Sequence, residues 1–254
     1  MTFNIAVAGK GGSGKTSVAS LIIRYLKKNG KGPILAVDAD SNANLGESLG
    51  LSVKQTIGSI IASFNEEKIN IPPGMTKEAY LEYKLNETIV ESGGLDLVTM
   101  GRGEGPDCYC YPNLILRKFI DTLSQNYAYM VMDNEAGMEH LSRRTTQNVD
   151  ALLLISDHSV KGVRAVGRIR DLVSELKLVV RRQFVIVNFV PNNLDPLVTK
   201  ELDRLGIKPE VMIPLDEEVY QYDLKQKPLL DLPDTSKAVK VIDSLMVNIL
   251  KNGG

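Results

Sequence analysis

The chain has 254 residues, 43% of them hydrophobic and 24% charged, which excludes a disordered, collagen-like or simple coiled-coil protein. Its 30 Lys and Arg against 31 Asp and Glu leave a net charge of -1, so no overall basic field points to nucleic acid or acidic lipid. The longest apolar runs, such as Ala151–Ile155, fall far short of the roughly 20 residues a membrane helix needs, and two cysteines cannot build the framework of a small secreted domain. A cytoplasmic protein without nucleic-acid or membrane partners is the expectation.

Short apolar, β-rich runs alternate with longer stretches of helical period, the pattern of βαβ units and a mainly parallel sheet. In chain order the sequence predicts a strand at Phe3–Ala8, a glycine-rich loop, a helix at Lys15–Lys28 and a strand at Ile34–Asp38. A helix at Thr56–Phe64, a strand at Leu95–Met100, a helix at Asn113–Ser124 and a strand at Tyr129–Asp133 follow. The second half reads as strand Ala151–Ser156, helix Val160–Leu176, strand Phe184–Asn188, helix Pro196–Leu205, strand Val211–Ile213, then helices Asp216–Lys225 and Ser236–Leu250. Nearly continuous apolar strands need helices on both faces, so the fold class is α/β, with residues 1–254 forming one domain. The charged stretch Glu66–Ser92, with Pro72-Pro73-Gly74, reads as a surface excursion.

Directly after the first strand comes Gly9-Lys10-Gly11-Gly12-Ser13-Gly14-Lys15-Thr16, which fits G-x-x-x-x-G-K-[ST] in the strand–loop–helix context of a phosphate-binding P-loop. Glycines let successive N–H groups converge on phosphate oxygens, and the helix that follows offers its positive dipole end. Gly11, Gly12, Ser13, Gly14, Lys15, Thr16 and Ser17 are therefore the expected nucleotide cradle, with Lys15 on the β- and γ-phosphates and Thr16 on Mg²⁺. No N-K-x-D guanine reader follows a later strand, where the chain reads Asn188-Phe189-Val190-Pro191, which favours ATP. Asn188, Pro214 and Asp216 lie at strand ends where an α/β sheet holds a base. A turn asparagine and a helix-capping aspartate are the competing readings.

Lys10 inside the loop, Asp38-Ala39-Asp40-Ser41-Asn42 after the second strand and Asp133-Asn134-Glu135-Ala136-Gly137 after the fourth resemble the deviant P-loop ATPases of the ParA/MinD and nitrogenase iron protein group. The resemblance implies a single-domain P-loop NTPase fold and ATP-dependent homodimerisation, with Lys10 crossing to the other subunit's nucleotide like an arginine finger. It also implies that Asp40 orients the attacking water, while Asp38 and Asp133 stand behind the Mg²⁺ water shell.

All cysteine lies in Cys108-Tyr109-Cys110. Two thiols two residues apart can face one ligand; the alternatives are a strained disulfide or two inert thiols. A closed soft-metal site typically wants four thiolates, which a two-fold axis pairing two chains would supply. With this C-x-C the sequence resembles the CooC-type nickel-insertion ATPases of carbon monoxide dehydrogenase. That likeness implies a dimer sharing one Ni²⁺ or Zn²⁺ and an apo-dehydrogenase as client. A ParA/MinD-like positioning ATPase on DNA or membrane is the alternative, and an iron–sulfur electron donor fits a single cysteine pair poorly. For the anchor such a positioning ATPase needs, the last predicted helix carries Val239, Val241, Ile242, Leu245, Met246, Ile249 and Leu250 but only Lys237 and Lys240 as basic residues before its end, a pattern that fits core packing better.

Overall fold

A computed structural model describes residues 1–66, 71–102, 118–135 and 148–251. Eight strands, β1 (Phe3–Gly9), β2 (Ile34–Ala39), β3 (Val90–Ser92), β4 (Leu95–Thr99), β5 (Tyr129–Asn134), β6 (Asn148–Asp157), β7 (Val179–Val190) and β8 (Val211–Pro214), form one sheet. Its order is β3-β4-β2-β5-β1-β6-β7-β8. Every pairing is parallel except β3 with β4, so the expected α/β architecture is present.

Residues alternate between the two faces of each strand, and each face has its own helical cover. Ile5, Val7, Ala36, Leu97, Val131 and Leu153 pack against α1 (Lys15–Lys28), the short α2 (Leu45–Leu49) and the last helix. Ala6, Ala8, Val37, Val98, Met132 and Leu154 pack on the opposite side. There they meet α3 (Ile57–Glu66), α4 (Lys77–Asn86), α5 (described over residues 118–124), α6 (Val160–Glu175) and α7 (Pro196–Arg204). Two further helices, α8 (Glu217–Leu224) and α9 (Lys237–Lys251), close the chain. In α9, Val239, Ile242, Leu245, Met246 and Ile249 are buried, so its apolar face is core.

The stretch Glu66–Ser92 departs from the expected surface excursion. It holds α4, which buries Leu81 and Leu85, and the edge strand β3. Within α4 the charged Lys77, Glu78 and Glu82 are exposed while Leu81 and Leu85, four residues apart, dock the helix.

Candidate functional site

Beside β1 lie β5 on one side and β6 on the other, so the loop leaving β1 at the carboxyl edge of the sheet is flanked by the ends of both neighbours. Gly14, at φ 85°, ends the loop as the residue preceding α1, and no side chain caps that helix. The N–H groups of the first turn therefore remain open for an anion, and no acidic side chain lies among them. Gly14 is required twice over. Its φ is one that side-chain-bearing residues rarely adopt, and a Cβ there would strike the Asn188 amide and come within 2.8 Å of Phe189 Cζ. Asn188 in turn fastens the loop, its Nδ2 donating to the Ser13 carbonyl at 3.0 Å.

The loop's two lysines occupy different settings. Lys15 is buried at 6% exposure, whereas the Lys10 side chain is 43% exposed and its ammonium lies 3.2 Å from Asp157 Oδ2 at the end of β6.

On the β5 side stand two buried carboxylates. Asp38 and Asp133 are cross-strand neighbours at the ends of β2 and β5, exposed to 0% and 1% respectively. Thr16 Oγ1 donates to Asp133 Oδ2 at 2.6 Å, and Asp133 Oδ1 has no hydrogen-bond partner among the described residues. Burial pushes the Asp133 carboxyl up to about 7; the Thr16 hydroxyl opposes that rise and the Asp38 charge adds to it. Burial likewise lifts Asp38 to about 6, against backbone N–H groups donated by Leu45 and Asp40. A hydroxyl beside two buried carboxylates, one with an orphan oxygen, fits a hydrated Mg²⁺ carried in by nucleotide phosphates.

Asp40, in the loop that leaves β2 just after Asp38, is turned back on itself, its Oδ1 accepting from Asn42 N and Nδ2, each at 2.9 Å. Ser41 Oγ donates to Glu135 Oε1 at 3.1 Å, tying the loop after β2 to the one after β5.

A cavity of about 260 Å³ opens beside Ser17, walled by Asn188, Phe189, Pro214, Leu215, Asp216 and Tyr220. Asn188, Pro214 and Asp216 thus meet in one wall, with the two polar side chains engaged within the chain. Asn188 holds Ser13 and the Phe189 N–H. Asp216 caps two helices at once: Oδ1 accepts from Glu218 N at the start of α8, and Oδ2 from Ser236 Oγ and Ala238 N at the start of α9. The turn and capping roles are therefore the ones on display. Phe189, at φ 58°, is a cavity residue that sequence reasoning misses, because nothing local marks a left-handed phenylalanine. A wider depression of about 980 Å³ beyond β8, with Val190, Leu194, Ile207 and Met212 in its lining, contains none of the loop residues.

Cys108, Cys110, Ala136 and Gly137 lie outside the described residues. Among the described residues no group of three or more His, Cys, Asp or Glu is placed to hold a metal ion.

The family model for CobQ/CobB/MinD/ParA nucleotide-binding domains matches residues 5–229. The chain belongs to this family. It is accordingly a nucleotide-binding P-loop ATPase, and the matched range includes the loop after β1 and α1. It is 42% identical over 248 residues to an uncharacterized ATP-binding protein of Methanocaldococcus jannaschii, an alignment covering 97% of this chain and 98% of that protein. It is 26% identical over 183 residues to the carbon monoxide dehydrogenase accessory protein CooC of Rhodospirillum rubrum, covering 68% of this chain and 69% of the other. Among solved structures, MinD in the MinC:MinD cell division protein complex of Aquifex aeolicus superposes with a TM-score of 0.71 at 20% identity, over 98% of this chain and 96% of that one, a likeness of fold.

Proposed function

We propose that this chain is an ATP-hydrolysing switch that dimerises around its nucleotides. We further propose that its cargo is a soft metal ion, Ni²⁺ or Zn²⁺, held by Cys108 and Cys110 of two copies for delivery to an apo-carbon monoxide dehydrogenase. The observation that carries the switch is the division between the two loop lysines. Lys15 is buried beside the helix terminus, where in this reading the chain's own phosphates bind, while Lys10 is half-exposed at the surface beside Asp157, a position from which it turns to another chain's nucleotide.

In this reading the open N–H groups of α1 and Lys15 hold the phosphates, and Thr16, Asp133 and Asp38 hold Mg²⁺ with its water shell. When bound, Mg²⁺ supplies neutralisation of charge on the β- and γ-phosphates. Asp40 leaves its turn with Asn42 and orients the water that attacks the γ-phosphorus. Lys10 of each copy meets the charge that develops on its partner's γ-phosphate, a contribution worth about 10³–10⁵ in rate. Because Asp38–Asn44 and Glu135 sit at the γ-phosphate end and share the Ser41–Glu135 bond, loss of the phosphate would be felt by both loops together.

Lys10→Ala should bind ATP as the parent does while hydrolysis collapses; equal turnover in the two would reject the role in trans. The metal half rests on the C-x-C and on the CooC likeness. Replacing both cysteines by serine should abolish stoichiometric Ni²⁺ and Zn²⁺ binding in equilibrium dialysis with nucleotide binding intact, and undiminished metal uptake would remove the cargo. The rival, a positioning ATPase of the MinD kind, shares the fold. Its membrane form lacks support in α9, whose apolar face is already buried, and among the described residues no helix is long and apolar enough to cross a membrane. Co-sedimentation with liposomes or DNA in the presence of ATP would favour the rival.

A further inference from the structure

Lys10 is engaged within its own chain. Its ammonium meets Asp157 across 147 residues of sequence, because β1 and β6 are neighbours and Gly9 stands opposite Ile155. The receiving carboxylate sits in a shaped seat. Its Oδ1 accepts from Ser159 N at 3.2 Å and from the Ser159 hydroxyl, and Ser159 Oγ in turn accepts from Gly162 N at 3.0 Å as the N-cap of α6. A Cβ on Gly162 would strike Asp157 Oδ1 and come within 2.7 Å of Ser156 Oγ, so the seat exists only with glycine there. One oxygen is thus committed to the start of α6, and the other is left for a cation. Against the upward pull of burial, hydrogen bonds from Ser159 and Lys10 hold the Asp157 carboxyl below the ordinary carboxylate range, so it is ionised at neutral pH.

We propose that Asp157 is the positioning residue for Lys10: it docks the ammonium in cis while the chain is alone and releases it to a triphosphate presented by a second copy. The proposal rests on the dimer reading above and adds to it a residue and a direction. Assembly in ATP breaks two Lys10–Asp157 pairs and makes two Lys10–phosphate contacts. With the Lys10 side chain 43% and the Asp157 side chain 21% exposed, the pair is a partly screened one, worth roughly 2- to 5-fold per chain. Two such pairs set the dimer constant back by roughly 4- to 25-fold. The consequence is a threshold: ADP, which lacks the γ-phosphate charge, does not draw Lys10 off Asp157, whereas ATP does.

Asp157→Asn tests this, because it removes the charge and keeps an oxygen that can still accept from Ser159. The first readout needs no dimer. In dilute nucleotide-free chain, trace acetic anhydride labels Lys10 at a rate read by peptide mass spectrometry against Lys31, an exposed lysine. The variant should label Lys10 roughly 2- to 5-fold faster, and the gap should close at high salt, which a purely structural cap would not produce. An unchanged rate overturns the docking, whatever the oligomeric state. The second readout is the chain concentration at which a non-hydrolysable ATP analogue assembles half the protein. It should fall roughly 4- to 25-fold in Asp157→Asn, and a midpoint that is unchanged or higher overturns the release. A parent that never assembles refutes the dimer reading itself, and the release with it, while the labelling still decides the docking.

Discussion

Asp133 bears its charge where water does not reach. The residue is 1% exposed, one oxygen is held by Thr16 and the other has no partner among the described residues, with Asp38 opposite. Burial pushes its carboxyl up to about 7, against about 3.9 in an unfolded chain. A carboxyl raised on folding binds protons in the folded state before the unfolded one does, so stability from this group falls as pH rises from about 4 through about 7. At about 1.36 kcal/mol per pH unit, ionised Asp133 costs the nucleotide-free fold up to about 4 kcal/mol at pH 8. Asp133→Asn keeps the shape and an acceptor for Thr16 without the charge. By urea denaturation without nucleotide, the variant should be more stable than the parent by about 2–4 kcal/mol at pH 8, and the gain should fade toward pH 4. The same variant should lose most of the stabilisation by Mg²⁺-ATP, which in the parent reaches about 2.7 kcal/mol at a hundredfold excess over Kd. A variant less stable than the parent at pH 8, or a difference that does not move between pH 8 and pH 5, would refute this reasoning.

Two further substitutions probe the scaffold. Gly14→Ala places a side chain at φ 85° against Asn188 and Phe189; it should cost about 2–3 kcal/mol and abolish binding of a fluorescent ATP analogue, and unimpaired binding would contradict the cradle. Asp216→Ala releases two helix starts, at Glu218 and Ala238, so its loss should be about twice that of Asp195→Ala, which frees only the Leu197 N–H at the start of α7. Equal losses would show that one of the two Asp216 caps carries no stability.

Much of the fold is legible because burial writes itself into composition. β1, β2, β4 and β5 are mainly apolar runs covered on both faces, and each lies within one residue of its predicted bounds. β7 begins five residues before its prediction, because Val179–Gln183 is partly exposed and carries Arg181 and Arg182. β3 and α2 escape prediction for want of length, at three and five residues, and α4 because its charged outer face outweighs two buried leucines. The loop lysines, Thr16 and the strand-end aspartates are readable since one strand and one turn fix them. Asp157 is not: its importance lies in a partner 147 residues away, and only the adjacency of β1 and β6 brings the two together. The Asp216 cap on Glu218 N is local and legible as a capping aspartate, whereas its second cap, on Ser236 and Ala238, joins segments that are neighbours only in the fold.

The most direct trial of the central claim is the mass of the particle in solution with ADP and with a non-hydrolysable ATP analogue. A single chain with ADP, two with the analogue, and a single chain throughout for Lys10→Ala are the outcomes predicted. A parent that remains one chain with the analogue, or a Lys10→Ala variant that pairs as readily as the parent, would contradict the account.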